Sequence, residues 1–384
     1  MNWSRTRRDF LCAASLGGVV GVTGCLRLTS DTNAATQDSG TDTSTQTDTS
    51  TQTDTSENTT ESAPNPTSSN ISLSKLWDID WERPHFAHIS DHLYLFRDEI
   101  RQVDLQSGET QWITTLDDEA RNPLAHTEEA LIIGTATSLY SIDQGTGGIN
   151  WRSEVSSGRF EPVHYSDAGV LLCGLYDSVL RRVNPDTGEI LWEISNGIEG
   201  RIAAAVTYDS WVYFGTSSNI YRCDVTDGSE FEQVANIPAY DMVVRDSTLY
   251  QSAFAGFVVY DLPDLERRKF IDRISPITSD TEIHLRDGIA YISTELAIVA
   301  IDLDAEEVLW RSKTESEATT GLSCADGRLW VGIEESVQAI SATEGTRLFT
   351  RDRNNSTSSL LAVDNTLLLS GTSSTDGYQI VSDS

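Results

Sequence analysis

One short motif recurs through the chain from Ile71 onward: an Asp or Asn, three residues, a Gly, three more residues and a Trp. The complete copies are Asp104, Gly108 and Trp112; Asp143, Gly147 and Trp151; and Asn184, Gly188 and Trp192. Degenerate copies follow at Asp224 with Gly228, at Asp261 with Phe270 one place late, at Asp302 with Trp310, and at Ser341 with Gly345 and Phe349. The first residues of successive copies lie 39, 41, 40, 37, 41 and 39 residues apart. This period indicates a fold built from one supersecondary unit copied many times.

Each repeat reads as a series of short strands separated by turns. In the second copy, strands are predicted over 131–135, 138–142 and 149–153, with a turn over 143–148. Alternating apolar, β-branched and aromatic residues favour strands, and the Asp and Gly of the turn favour a tight connection. Four strands in about 40 residues is the period of a propeller blade, in which a Trp on the outer strand can pack against the neighbouring blade. The sequence therefore predicts an all-β propeller.

The number of repeats predicts eight blades. Seven copies carry the motif, and an eighth, from Leu360 to Val381, lacks an outer strand. The segment from Ser72 to Trp81 resembles the missing strand, so we expect the two ends of the chain to share the last blade. That arrangement closes the ring and removes an exposed sheet edge. Residues 71–384 are thus predicted to form one eight-bladed propeller.

The repeat resembles the PQQ-like repeat of quinoprotein-type eight-bladed propellers, over nearly all of residues 71–384. That family includes the quinoprotein alcohol dehydrogenases and the propeller lipoprotein of the bacterial outer-membrane β-barrel assembly machinery. The resemblance implies for the enzymes a longer chain, an adjacent pair of cysteines on the quinone and a calcium site. The five cysteines here, at positions 12, 25, 173, 223 and 324, are never adjacent. We therefore expect no catalytic residues, no quinone cofactor and no enzyme activity, because a fold does not carry its relatives' chemistry without the site residues.

The first residues of the chain indicate export and lipid attachment. Arg7 and Arg8 form a twin-arginine pattern, which is followed by a weakly apolar stretch from Phe10 to Thr23 and then by Gly24 and Cys25. Gly followed by Cys after such a stretch resembles a lipobox. We predict a Tat lipoprotein signal peptide over 1–24 and a lipid on Cys25. The expected location is the extracytoplasmic face of the cell membrane.

Residues 25–70 are predicted to be a disordered stalk. From Thr29 to about Ser69 the chain is almost entirely Thr, Ser, Asp, Gln, Asn and Glu, with no aromatic residue. A segment of this composition cannot bury enough apolar surface to offset the entropy lost on ordering. Glycosylation sequons occur at Asn58, Asn70, Asn354 and Asn355, and whether they are modified stays open.

The charge balance favours a halophilic, archaeal host. The formal net charge is −32, and Lys75, Lys269 and Lys313 are the only lysines among 27 basic residues. Such a surface stays hydrated at high salt, where its self-repulsion is screened. It carries no basic stripe that could neutralise phosphates, so nucleic-acid binding is not expected. We expect a monomer.

Histidines are few, and several recur at a similar place in the repeat. Counted back from the first apolar residue of the second strand, the recurring positions are His88, His126, His164, His284 and Cys324. Imidazoles and a thiol ringing a propeller axis could bind a transition metal. The favoured interpretation is nevertheless that these side chains are buried between blades, so no metal site is predicted.

The remaining cysteines give no framework of spaced pairs. Cys173, Cys223 and Cys324 each fall in a predicted strand, which is typical of small buried apolar residues. A disulfide among them stays open, because the predicted location is oxidising.

The favoured functional hypothesis is a non-catalytic scaffold that presents a loop-rich face to a protein partner at the cell envelope. The alternatives are an extracytoplasmic redox, metal- or quinone-binding propeller that uses the histidines, and a sensor of a small ligand or glycan. The sequence does not identify the partner or the ligand.

Overall fold

The computed structural model describes residues 71–382, apart from 90, 155–161, 167–168, 175–177, 254–255, 273, 275–282, 295, 315–321, 334 and 354–355. The predicted signal peptide, Cys25, the predicted stalk and the four sequons lie outside the described residues. The described residues form strands and turns, and none of them belongs to a helix that could cross a membrane.

The strands form eight four-stranded antiparallel sheets, which confirms the predicted eight-bladed propeller. The strands of blades 1 to 4 are β2 (His85–Ile89), β3 (His92–Phe96), β4 (Glu99–Val103) and β5 (Thr110–Thr115); β6 (Arg121–His126), β7 (Ala130–Gly134), β8 (Ser138–Asp143) and β9 (Ile149–Glu154); β10 (Pro162–Ser166), β11 (Val170–Cys173), β12 (Leu180–Val183) and β13 (Ile190–Ile194); and β14 (Ile202–Tyr208), β15 (Trp211–Thr216), β16 (Ile220–Asp224) and β17 (Glu232–Ala235).

Blades 5 to 8 follow the same order. Their strands are β18 (Asp241–Arg245), β19 (Thr248–Ala253), β20 (Gly256–Asp261) and β21 (Glu266–Ile271); β22 (Ile283–Arg286), β23 (Ile289–Thr294), β24 (Ala297–Asp302) and β25 (Glu307–Lys313); β26 (Ser323–Ala325), β27 (Arg328–Ile333), β28 (Ser336–Ser341) and β29 (Arg347–Asp352); and β30 (Thr357–Val363), β31 (Thr366–Gly371) and β32 (Thr375–Ser382), with β1 (Ile71–Ile79) as the outer strand. First strands of several neighbouring blades contact one another, which places the first strand of each blade innermost.

The two ends of the chain close the ring. β1 pairs antiparallel with β32, from Ile71 opposite Ser382 to Ile79 opposite Thr375. The N-terminal strand thus supplies the outer strand that the last repeat lacks, as its sequence predicts.

The Asp of the motif holds the turn between the third and fourth strands. Asp143 Oδ1 accepts hydrogen bonds from the backbone N–H and the hydroxyl of Thr146, each at 2.7 Å. These bonds, the hydroxyl bond first, lower the pKa of the Asp143 carboxyl. Asp104 accepts the equivalent bonds from Ser107. A short acceptor side chain at this position therefore satisfies backbone donors that the tight turn leaves unpaired.

The Gly and the Trp of the motif meet across the boundary between blades. At Gly147, φ is +73°, and an added β-carbon would lie 2.6 Å from the ring of Trp112 in the preceding blade. The Trp112 indole N–H also donates to the carbonyl oxygen of Gln144 at 3.1 Å. The same contact joins Trp77 to Gly108, Trp151 to Gly188, Trp192 to Gly228 and Trp310 to Gly345. The motif therefore encodes an interface between successive blades.

Two turns lack the Gly of the motif. In both cases the preceding blade also lacks the Trp that would pack on it. Blades 5 and 6 have Leu265 and Glu306 at the Gly position, each with φ +54°. The strand register places Glu232 and Lys269 of the preceding blades at the Trp position. The alignment of Phe270 with the motif Trp is therefore wrong, because Phe270 lies one residue further along β21 and pairs with Val258.

Buried apolar side chains extend the same principle into the core. Each described cluster combines residues from neighbouring blades, as when Val170 and Trp192 of blade 3 join Ile202 and Phe214 of blade 4. Since each sheet buries its faces only against its neighbours, a single blade lacks a core of its own.

We expect Trp112→Ala to lower the free energy of unfolding by about 3 kcal/mol, the lower end of the range for truncating a large aromatic side chain, because Trp112 is only half-buried. Gly147→Ala should cost more than about 1 kcal/mol, because it adds a clash to an unfavourable φ. The excess should vanish in the Trp112→Ala background, so that the two effects are not additive. Chemical denaturation of the single and double variants measures this coupling.

Gly327→Ala is the matched control, since Gly327 has φ +70° and no atom within 4 Å of an added β-carbon. Equal costs at Gly147 and Gly327 would contradict the interface role of the glycine.

Candidate functional site

Antiparallel strand order gives the propeller two unlike faces. Turns between first and second strands and between third and fourth strands lie on one face, which we call the turn face. Loops between second and third strands and the links between blades lie on the opposite, connection face.

The turn face is built from short, regular and acidic turns. Five first turns have an Asp with φ between 48° and 56°, which a two-residue hairpin turn of this hand requires. These residues are Asp209, Asp246, Asp287, Asp326 and Asp364. Sequence analysis missed this feature, although Asp followed by Ser, Gly or Asn between two strands is a recognisable signal.

Two open clefts lie on the turn face. One, of about 520 Å³, lies between blades 1 and 2 and is lined by His92, Glu128, Glu129, Asp143, Gln144 and Gly145. The other, of about 330 Å³, lies between blades 5 and 6, where the Trp and Gly contact is missing, and includes Arg245, Arg268 and Glu306. Both clefts are lined mainly by polar and charged side chains.

The connection face varies far more from blade to blade. Links between blades range from four residues at 353–356 to eleven residues at 272–282. Described parts of this face include the exposed Ser217 and Ser218, and Leu296, which is 54% exposed. Much of the links 272–282 and 314–322 lies outside the described residues. This face therefore offers the irregular surface that a specific partner needs.

The recurring His and Cys residues lie on first strands, but they do not share one level. His88, His126 and Cys324 pair with Leu93, Leu131 and Leu329 and are equivalent. His164 and His284 pair with Leu172 and Tyr291, one residue further from the turn. Because Ile289 pairs with Arg286, the sequence alignment on Ile289 placed His284 wrongly.

A shift of one residue moves a side chain to the other face of a strand. The five residues therefore do not form a single ring. Among the described residues, no three His, Cys, Asp or Glu side chains are arranged to hold a metal ion.

His164 lies at the boundary between blades 3 and 4. Its Nε2 is 3.0 Å from the hydroxyl of Thr207 on the next blade. Burial lowers the pKa of His164 to about 4, so the imidazole is neutral at physiological pH. The pKa of His88 is also lowered, mainly by burial, against the attraction of Asp364 on blade 8 and of Asp91. The hydrogen bond to Thr207 places the His164 imidazole at a blade boundary.

The cysteines do not fit a quinone site. Cys173, Cys223 and Cys324 lie on β11, β16 and β26 of three different blades and are not joined by disulfides. Burial raises the pKa of the Cys223 thiol to about 12, which keeps it protonated. The adjacent pair of cysteines that the resemblance implies for a quinone enzyme is therefore not present.

The repeat, the blade count and the shared last blade define the chain as an eight-bladed β-propeller of PQQ-like repeats. The family model described as outer membrane protein assembly factor BamB matches residues 97–294 and 263–381. The chain therefore belongs to this family.

Solved structures with the same fold have little sequence in common with the chain. BamB from Moraxella catarrhalis has a TM-score of 0.62 at 14% identity, covering 80% of this chain and 100% of that chain. Sqt1 of Saccharomyces cerevisiae has a TM-score of 0.65 at 12% identity, covering 81% and 100%. The computationally designed Ika8 protein has a TM-score of 0.65 at 13% identity, covering 80% and 99%. No curated protein matches the chain significantly.

We expect the folded chain to lose stability as the pH falls from 6.5 toward 4. The unfolded chain takes up a proton at His164 near the ordinary pKa of 6.5, whereas the folded chain takes it up only near 4. His164→Gln can keep a hydrogen bond to Thr207 and should remove this component of the pH dependence. Chemical denaturation at pH 7 and pH 5 measures the difference.

His92→Gln is the control, because His92 is exposed. If wild type and His164→Gln lose the same stability between the two pH values, the assignment to His164 is wrong.

Proposed function

We propose that the chain is a non-catalytic scaffold that binds a protein partner at the cell envelope through its connection face. The observation that carries the proposal is membership of the outer membrane protein assembly factor family over residues 97–381. Blades without large insertions support it, because they leave little room for a catalytic domain. The proposed scaffold does not require an outer membrane, since the acidic, lysine-poor composition favours an archaeal host, which has none.

The point at which the chain enters the propeller also supports this use of the connection face. β1 begins at Ile71, opposite the last residue of β32, and therefore at the turn-face end of blade 8. If Cys25 carries a lipid and residues 25–70 form a tether, the tether joins the propeller on the turn-face side. The connection face would then stay accessible to a partner outside the membrane.

A photoreactive amino acid placed at Ser218 tests the surface used. Ser218 is exposed on the connection face, and Ser247, exposed on the turn face, is the matched control position. We expect irradiation of intact cells to give one discrete protein adduct from position 218 and none from position 247. Identification of the adduct by mass spectrometry, with a reciprocal cross-link from the partner, completes the measurement. An adduct from position 247 alone would refute the proposed face.

The same proposal holds that the protein works without a cofactor. We expect the purified chain to be colourless and free of stoichiometric metal, by visible absorbance and elemental mass spectrometry of one sample. A metal or chromophore that disappears when His88 and His126 are replaced would instead make this a redox or metal-binding propeller.

A further inference from the structure

The outer strand of blade 5 carries an unusual concentration of positive charge. β21 reads Glu-Arg-Arg-Lys-Phe-Ile, with Arg267, Arg268 and Lys269 in succession. The whole chain has only 27 basic residues and a formal net charge of −32. By contrast, β5 has no charged residue, β9 has one Arg and one Glu, and β13 and β17 have one Glu each.

The outer strands of the next two blades extend this charge. β25 carries Arg311 and Lys313 against one Glu, and β29 carries Arg347 and Arg351 against one Asp. Three consecutive blades therefore have a positive outer rim on a strongly negative molecule. A segment of negative charge would be attracted to this rim and repelled elsewhere.

β21 also offers an open strand edge. It pairs with β20 on one side and is the last strand of its sheet. Within the described part of the chain, its backbone forms no hydrogen bond to anything but β20. Phe270, which is 40% exposed, adds an apolar side chain beside this edge. An extended peptide can add to such an edge through backbone hydrogen bonds.

The three cations differ in how far they are already engaged. Arg268 pairs with Asp261 and with Glu306 of the next blade, and Lys269 reaches the carbonyl oxygen of Ala305. Arg267 is exposed, and no ion pair is found for it among the described residues. Arg267 is therefore the cation available to an incoming ligand.

Charges on edge strands also serve to prevent sheets from pairing edge to edge. That protection is needed at every outer strand, yet β5 carries no charge and β13 and β17 carry no cation. Outer strands with more cations than anions are confined to consecutive blades, which favours a binding surface over general protection.

We propose that the outer edge of β21 binds an extended acidic segment of a partner protein, which adds as a fifth strand to blade 5. Arg267 meets the acidic side chains, and Phe270 contacts the methyl group of a β-branched side chain, such as Thr, in the segment. The site lies on the rim, apart from the connection face, so it does not depend on the function proposed above.

A fluorescently labelled twelve-residue peptide of alternating Thr and Asp tests this site on the full chain at one fixed salt concentration. Fluorescence anisotropy should detect saturable binding. A peptide with two central Thr residues replaced by Pro should bind at least about tenfold more weakly, because Pro removes backbone donors and resists strand pairing. Arg267→Glu should weaken binding of the first peptide about tenfold, with an unchanged melting temperature.

Lys313→Glu is the matched control, since it reverses one exposed charge on the neighbouring outer strand. It should change the affinity less than twofold. The proposal would be overturned if both substitutions weakened peptide binding equally, or if the Pro-containing peptide bound as tightly as the first peptide. Either result would indicate a diffuse electrostatic surface and not a strand site. Two other results would also overturn it: self-association of Arg267→Glu with unchanged peptide binding, and binding to anionic lipid vesicles without binding to the peptide.

Discussion

The packing of a tryptophan on a glycine of the next blade is the contact on which the ring depends. The indole lies against a residue that has no β-carbon, and its N–H donates to a carbonyl oxygen of the same turn, as between Trp310 and Gly345 with Ala342. Any side chain at the glycine would overlap the ring and would have to adopt a positive φ. One contact thus sets both the spacing of the blades and the conformation of the turn. Because Trp77 of the last blade packs on Gly108 of the first, the same contact also closes the circle.

This contact explains why so much of the fold could be predicted from the sequence. Each motif contains one half of two different interfaces, since its Gly faces the preceding blade and its Trp faces the following one. The period of the motif therefore reports the period of the blades. The prediction of the shared last blade succeeded for the same reason, because Trp77 supplies the half-interface that the final repeat lacks.

Predictions failed where position within a strand mattered more than spacing along the chain. Phe270 is aromatic, but the register of β21 gives the motif position to Lys269. His284 follows the expected spacing, yet it lies one residue away from the level of His88, and so on the opposite face of its strand. Spacing counts residues, whereas side-chain direction depends on where the hairpin turns, and a one-residue error reverses the direction. The connection face could not be predicted in detail either, because its links share no repeating pattern.

Two of the boundaries that lack the tryptophan and glycine contact are those on either side of blade 5. At one boundary Leu265 is buried where a glycine would lie, and at the other Glu306 pairs with Arg268. Each replacement keeps a positive φ in a residue with a side chain, which carries a conformational cost that glycine avoids. The turn has thus been preserved while the aromatic contact has been exchanged for an aliphatic contact in one case and a charge pair in the other. In place of the Trp, the outer strand of blade 5 contacts the next blade through charged side chains, Arg268 with Glu306 and Lys269 with the carbonyl oxygen of Ala305. The positive rim begins at this strand, which is where the repeat ceases to constrain the outer surface.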